Sequence, residues 1–141
     1  MTEVDFYVLS DKAPQAGVQF TCRLAEKIFK GGHQVYINTA SEQQLKQLDD
    51  LLWSFRPGSF LPHAVYMSEN AGATPILLGH ATEPEGPSDV LVNLAEDIPV
   101  FFSRFSRVTE LVSGDDVQRD AARAHFRFYK DRGYQVRSHQ L

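Results

Sequence analysis

The chain has 141 residues and a single cysteine, Cys22, so its length suits one domain with its own hydrophobic core and excludes an internal disulfide. Residues 1–103 carry 6 basic and 13 acidic side chains, whereas residues 104–141 carry 8 basic and 5 acidic ones. A basic end on an acidic chain is typical of a local contact with an anion, and it argues against a broad nucleic-acid footprint. The acidic N-terminus and the absence of a long apolar run predict a cytoplasmic protein without a signal peptide or membrane span.

The first third of the chain alternates predicted strands and helices. Residues 4–10, "VDFYVLS", and residues 34–40, "QVYINTA", are short apolar runs that are typical of buried strands. Between them we expect a helix that begins near Pro14 and ends at Gly31, and a capping box of Ser41 and Gln44 opens a second helix. The order predicts a right-handed crossover and a parallel sheet. The predicted core positions of these helices are Val18, Cys22, Ala25, Phe29, Leu45, Leu48 and Leu52.

The second half continues with shorter predicted elements. A loop is predicted over 83–89, a short helix over 97–105 and a last helix over 115–132, ended by Gly133. We therefore expect one α/β domain over 1–141, with a mostly parallel sheet flanked by helices, in a Rossmann-like topology without a nucleotide-binding loop. The remaining predicted strands are 64–68, 74–81, 90–95 and 107–113.

The sequence gives no positive sign of catalysis. The first strand-to-helix loop, "SDKAPQAG" at 10–17, has neither glycine-rich phosphate motif, so we predict no cofactor. Cys22 lies in an apolar helical pattern, where a small buried side chain is expected rather than a nucleophile. Asp11 could be a nucleophile or a Mg²⁺ ligand, although a helix cap is favoured. The histidines show no metal-ligand spacing, so no metal is predicted; they are His33, His63, His80, His125 and His139.

One alternative stays open at this point. A small α/β nucleotide-binding protein or enzyme would place its site at the carboxyl ends of the strands, near Asp11, Asn38 and Ser68.

The last predicted helix carries a basic stripe. At 100° per residue, Arg119, Arg123 and Lys130 share a face, with Phe126 in its middle and Arg127 at one margin. A solvated basic face would explain the arginines but not the aromatic ring among them. An acidic peptide tail with a hydrophobic group fits both, and single-stranded nucleic acid stacked on Phe126 fits less well. The opposite, core-facing positions are predicted to be Val117, Ala121, Ala124 and Phe128.

A second unusual segment is "LLWSFRPGSFLPHAVY" at 51–66, because connecting segments are normally polar. Its large apolar side chains either fill a core or contact another protein. They are Trp53, Phe55, Phe60 and Leu61.

The chain resembles the chi subunits of bacterial DNA polymerase III, which are accessory proteins of the clamp-loader assembly. The likeness extends over nearly the whole length. It rests on "DFYVL", "LDDLLWSFRPGSFLPH", "VLVNL", "FFSRFSRVTELV" and "AARAHFRFYKDRGY". The resemblance implies an adaptor without catalytic residues that functions in DNA replication and repair, contacts DNA only indirectly and has no membrane partner.

The resemblance also implies two partner sites. It implies that Trp53, Phe60 and Pro62 bind a psi-like clamp-loader subunit, or a helicase if no psi-like subunit exists. It further implies that the last helix binds the acidic, phenylalanine-ended tail of single-stranded-DNA-binding protein. This chain has Arg119 and Phe126 where relatives have lysine and tyrosine, and "QVRSHQL" at the end has no assigned role. The implied tail-binding residues are Val112, Arg119, Arg123, Phe126 and Arg127.

Overall fold

The computed structural model describes residues 1–10, 13, 15–58, 60–66, 74–85, 89–113 and 116–141. Asp11, Pro14 and Ser68 lie outside the described residues. Three helices are present in the described part: α1 (Ala16–Lys30), α2 (Glu42–Ser54) and α3 (Asp116–Asp131). The strands are β1 (Glu3–Val8), β2 (Val35–Asn38), β3 (His63–Val65), β4 (Ile76–Gly79), β5 (Val90–Asn93), β6 (Arg107–Val112) and β7 (Gln135–Gln140).

The strands form one sheet in the order β3-β4-β2-β5-β6-β1-β7, and every described pair is parallel. This confirms the predicted α/β class and the parallel sheet. Helices cover both faces of the sheet, as parallel sheets require. The observed strands are shorter than the predicted ones, because the ends of the apolar runs continue into loops.

The predicted capping box at the start of α2 is confirmed. The Ser41 hydroxyl accepts a hydrogen bond from the Gln44 amide at 3.0 Å. The Gln44 side-chain oxygen in turn accepts from the amide of Ala40 at 2.7 Å. Two amides that the helix cannot pair internally are thereby satisfied, which fixes where α2 begins.

The core consists of two clusters, one on each face of the sheet. The first packs α1 and α2 against β2, β4 and β5, and it includes Leu61 from the loop after α2. The second packs α3 and the aromatic segment before β6 against β1 and β6. That segment contains a 3₁₀ turn, Phe102–Arg104, where a short helix was predicted over 97–105. Alternation along β1 directs Val4 and Phe6 into the second cluster and Asp5 to the opposite face.

The predicted core face of α3 was wrong at Val117 and Ala124, whereas Phe128 packs against the second cluster and Ala121 is half-buried. Val117 is 76% exposed and Ala124 is also exposed, whereas Tyr129 is completely buried. Tyr129 can occupy the core because its hydroxyl donates a 2.7 Å hydrogen bond to the buried Glu110 carboxylate. Periodicity alone cannot tell which of two neighbouring apolar stripes faces inward, and a hydrogen bond from another strand decides it here.

The C-terminal segment left unassigned above forms β7, an edge strand that pairs with β1. Its anchor is Asp5, whose side chain is 5% exposed. The Asp5 carboxylate accepts 3.0 Å hydrogen bonds from Nε of Arg137 and Nε2 of His139. Arg137 and His139 therefore tie the edge strand to its neighbour β1.

Replacing Asp5 with asparagine should destabilise the fold by about 1–3 kcal/mol, since hydrogen bonds to a charged group are lost. Arg137 and His139 are 45% and 41% exposed, so water can solvate both once the partner is gone. As a control, Glu3→Gln removes only long, exposed ion pairs at 3.8 and 3.9 Å and should cost no more than about 1 kcal/mol. Urea unfolding measures both, and equal losses for the two variants would contradict the anchoring role of Asp5.

Candidate partner-binding surfaces

A groove runs between α3 and the strands β1, β6 and β7, and we call it the α3 groove. Its volume is about 300 Å³. The strands supply Phe6, Val8, Val112, Ser138 and Gln140, and the helix supplies Arg119, Ala122, Arg123 and Phe126. Four of the five residues implied for tail binding therefore line one groove. Arg127 is exposed and is not part of its lining.

The floor of the α3 groove is aromatic. The ring centroids of Phe6 and Phe126 are 5.5 Å apart, and Phe6 also contacts Tyr129 beneath it. Phe6 is buried, whereas Phe126 is 36% exposed and so presents part of its ring to the groove. Nζ of Lys130 lies 6.0 Å from the Phe126 centroid, on the same side of the helix. A hydrophobic side chain that entered here would contact aromatic rings with a cation beside them.

The two arginines that line the groove differ in their surroundings. Arg123 is exposed and donates a 2.9 Å hydrogen bond to Asp120, an exposed pair that contributes little to stability. Arg119 is half-buried, and its Nε is buried without a hydrogen-bond partner in the described part of the chain. Since buried polar groups are nearly always paired, an acceptor brought by a ligand would satisfy this donor.

Apart from Val112, the strand residues of the groove were missed in the sequence analysis. Ser138 and Gln140 belong to β7, which was not predicted, and Phe6 was assigned only to a strand. The alternation of "QVRSHQ" was the available signal, because Ser138 and Gln140 point to one face and Arg137 and His139 to the other. The parallel register then places Phe6 beside Ser138.

The apolar segment at the end of α2 and in the loop that follows has some large side chains in the core and others at the surface. Leu61 is 2% exposed and fills the first core cluster, and Phe55 packs against that cluster. Trp53 and Phe60 are 56% and 70% exposed, with ring centroids 5.7 Å apart. Together with the half-buried Pro62 they form an exposed apolar patch, which we call the Trp53–Phe60 surface. Exposed aromatic pairs of this kind are typical of protein interfaces.

Comparison with known proteins assigns the chain to a family. Residues 1–137 match the family described as DNA polymerase III chi subunit, HolC. The chain belongs to this family. It is 45% identical over 141 residues to the DNA polymerase III subunit chi of Pseudomonas aeruginosa, covering 100% of this chain and 98% of that one. It is 28% identical over 132 residues to the Haemophilus influenzae subunit chi, covering 93% and 92%, and 25% identical over 141 residues to that of Escherichia coli, covering 96% of each.

In the described part of this chi-family chain, polar side chains at or near the carboxyl ends of β2, β5 and β6 form a buried network. Glu110 accepts hydrogen bonds from Asn93 at 3.1 Å, from His125 at 3.0 Å and from Tyr129. Asn93 also accepts from the side-chain amide of Asn38 at 3.0 Å. Of the three residues that the alternative hypothesis placed at a site, Asn38 is part of this hydrogen-bonded network. Asp11 and Ser68 lie outside the described residues.

Cys22, the cysteine considered above as a nucleophile, is buried in the core. Burial raises the pKa of the Cys22 thiol to about 12, against a smaller lowering by Arg23, so little thiolate is present near neutral pH. Within the described ranges, no three His, Cys, Asp or Glu side chains lie close enough to hold a metal ion. No helix in the same ranges is long and apolar enough to cross a bilayer.

His125 should make the stability of the fold depend on pH. Burial lowers the pKa of His125, but the hydrogen bond and charge of Glu110, the Glu96 carbonyl and Asp97 together raise it above its ordinary value of 6.5. Because the folded pKa exceeds the unfolded one, this contribution to stability is complete below pH 6.5 and is lost as the pH rises through the folded pKa.

The measurement is the difference in unfolding free energy between the parent and His125→Gln, from about pH 5 to about pH 9. The parent's advantage should be largest at the acidic end and should shrink towards the alkaline end. A difference that stays constant across this range would show that the charge of His125 does not stabilise the fold.

Proposed function

We propose that this chi-family chain is a non-catalytic adaptor of the DNA polymerase III holoenzyme, acting in the cytoplasm during DNA replication. One surface binds a psi-like subunit of the clamp loader, and the other binds the acidic C-terminal tail of single-stranded-DNA-binding protein. The α3 groove carries the proposal, because it combines an aromatic floor with two arginines, one of which has a buried donor that no described residue accepts from.

The groove suits a peptide that ends in phenylalanine after acidic residues. The terminal ring would lie against Phe6, Val112 and Phe126, which form the apolar part of the lining. Its α-carboxylate would accept a charge-assisted hydrogen bond from Arg123, which can exchange its exposed partner Asp120 for the ligand. An upstream carboxylate would reach Arg119 and satisfy its buried Nε.

Other cations on α3 would act at longer range. Arg127 and Lys130 are exposed, and Lys130 lies beside the groove, over the Phe126 ring. Exposed charges of this kind increase the rate of encounter with an acidic peptide more than they increase affinity. Their effect should therefore depend strongly on salt.

The Trp53–Phe60 surface is the proposed site for the psi-like subunit. Trp53 and Phe60 bring a large apolar area with few rotatable bonds, which is why such residues dominate binding energy at interfaces. Pro62 extends the surface and limits the freedom of the chain between them and β3. In an organism without a psi-like subunit, a helicase is the proposed occupant.

The positions of the two surfaces support simultaneous binding. The Trp53–Phe60 surface lies beside β3 at one edge of the sheet, whereas β7 at the other edge lines the α3 groove. Six inter-strand spacings separate these edges, or about 29 Å. Two partners could therefore bind without contact between them, as an adaptor requires.

The tail proposal predicts that Arg123→Ala weakens binding of a labelled acidic, Phe-ended peptide about 10- to 100-fold, because a charge-assisted hydrogen bond is lost. Phe126→Ala should also weaken binding, and by the same factor at low and high salt, since it removes an apolar contact. Fluorescence anisotropy at two salt concentrations measures both effects.

Arg127→Ala is the matched control, because it removes an exposed arginine from the same helix outside the groove lining. It should change affinity little, and mainly at low salt. If Arg123→Ala and Phe126→Ala both bind the peptide as the parent does, the tail site is elsewhere. Stabilisation of the parent by nucleotides but not by the peptide would favour the nucleotide-binding alternative.

The partner surface is tested with two neighbouring residues. Phe60→Ala should change the free energy of unfolding by less than about 0.5 kcal/mol, because Phe60 is 70% exposed. It should nevertheless weaken capture of the psi-like subunit at least about tenfold. Leu61→Ala, at a residue 2% exposed, should instead cost about 2–5 kcal/mol of stability. A large loss of stability for Phe60→Ala, with capture unchanged, would assign Phe60 to the core.

A further inference from the structure

His63 joins the two segments that carry the exposed aromatic pair. Its side chain is 1% exposed. Nδ1 lies 2.8 Å from the carbonyl oxygen of Leu61, in the loop that carries Phe60. Nε2 lies 3.1 Å from the carbonyl oxygen of Asp49, in α2 and one helical turn before Trp53. The imidazole thus bridges the loop and the helix.

The same ring also supports the tryptophan directly. The ring centroids of His63 and Trp53 are 4.5 Å apart, and those of Trp53 and Phe60 are 5.7 Å apart. The exposed fraction of the whole residue rises along this row, from 8% for His63 to 56% for Trp53 and 70% for Phe60. Three rings therefore extend from the core to the surface, and the innermost one has its two nitrogens within hydrogen-bond distance of backbone carbonyls in both segments.

We propose that His63 is the positioning residue of the Trp53–Phe60 surface, and this rests on the partner-binding role proposed for that surface. A tryptophan and a phenylalanine that are more than half exposed would otherwise sample several rotamers, and a partner would have to order them on binding. His63 removes part of that cost beforehand by holding the Leu61 carbonyl next to Phe60 and by packing under Trp53.

The bridge has a simple chemical basis. A neutral imidazole donates one hydrogen bond, to either the Leu61 or the Asp49 carbonyl, and a protonated imidazole donates to both. The Asp49 carboxylate lies beside the ring, with Oδ1 3.5 Å from Nε2. A phenylalanine at this position would keep a ring under Trp53 and lose the hydrogen bonding of the imidazole.

The chain's single tryptophan allows a test without labels. In His63→Phe, the fluorescence anisotropy decay of Trp53 should gain a fast component from local motion, and acrylamide should quench its emission more strongly than in the parent. Affinity for the psi-like subunit should fall about 2- to 10-fold, the cost of ordering one side chain on binding. His63→Gln keeps an amide donor and should lie between the parent and His63→Phe in all three measurements.

His80→Phe is the matched control, because His80 is half-buried and its Nδ1 also lies 3.0 Å from a backbone carbonyl, that of Thr39, in another part of the fold. It should leave Trp53 and partner affinity unchanged. Parent-like anisotropy and quenching in folded His63→Phe would overturn the proposal. If that variant does not fold, the same result in His63→Gln overturns it. If the parent does not bind the psi-like subunit but His63→Phe still changes the fluorescence of Trp53, the partner role is refuted and the positioning role is kept.

Discussion

The buried carboxylate of Glu110 determines how α3 lies on the sheet. Glu110 is 4% exposed, and a carboxylate at that depth requires several donors to offset its lost hydration. Asn93 supplies one from β5, and His125 and Tyr129 supply two from α3. These bonds fix the rotation of the helix, because His125 and Tyr129 must face the strand together. With that rotation, Arg119 and Phe126 lie over β1 and β7. The α3 groove therefore depends on the hydrogen bonds of Glu110, although Glu110 does not line the groove.

This dependence explains why the sequence predicts the groove residues better than the core of α3. The basic stripe follows from helical spacing alone, and spacing between residues does not change when a helix rotates about its axis. The face that points inward does change when the helix rotates. The apolar character of Val117 predicts a core position, but the hydrogen bond from Tyr129 to Glu110 turns a different face inward. The order of strands and helices was similarly readable from local patterns, including the Ser41 cap. The edge strand β7 was not, since its polar sequence becomes a strand only through pairing with β1 and the anchor at Asp5.

The loop after α2 shows the same limit at a smaller scale. The segment has four large apolar side chains, which the sequence assigns either to the core or to an interface. In the structure, Leu61 and Phe55 pack in or against the core, whereas Trp53 and Phe60 are exposed. Leu61 is buried, whereas its neighbour Phe60 is exposed. The composition of the segment does not predict which residue points inward. In the structure, His63, the first residue of β3, has its Nδ1 2.8 Å from the carbonyl oxygen of Leu61 and so holds the buried residue in place.

Both proposed surfaces share one design, in which exposed rings rest on residues held firmly from below. Phe126 lies on the buried Phe6, which contacts Tyr129 and through it the network of Glu110. Trp53 lies on the buried His63, whose two ring nitrogens lie 2.8 and 3.1 Å from backbone carbonyl oxygens. An adaptor must keep apolar rings at its surface for its partners, and loose rings would lower affinity through the entropy lost on binding. Placing the polar contacts underneath keeps the rings ordered while their outer faces stay free for a partner.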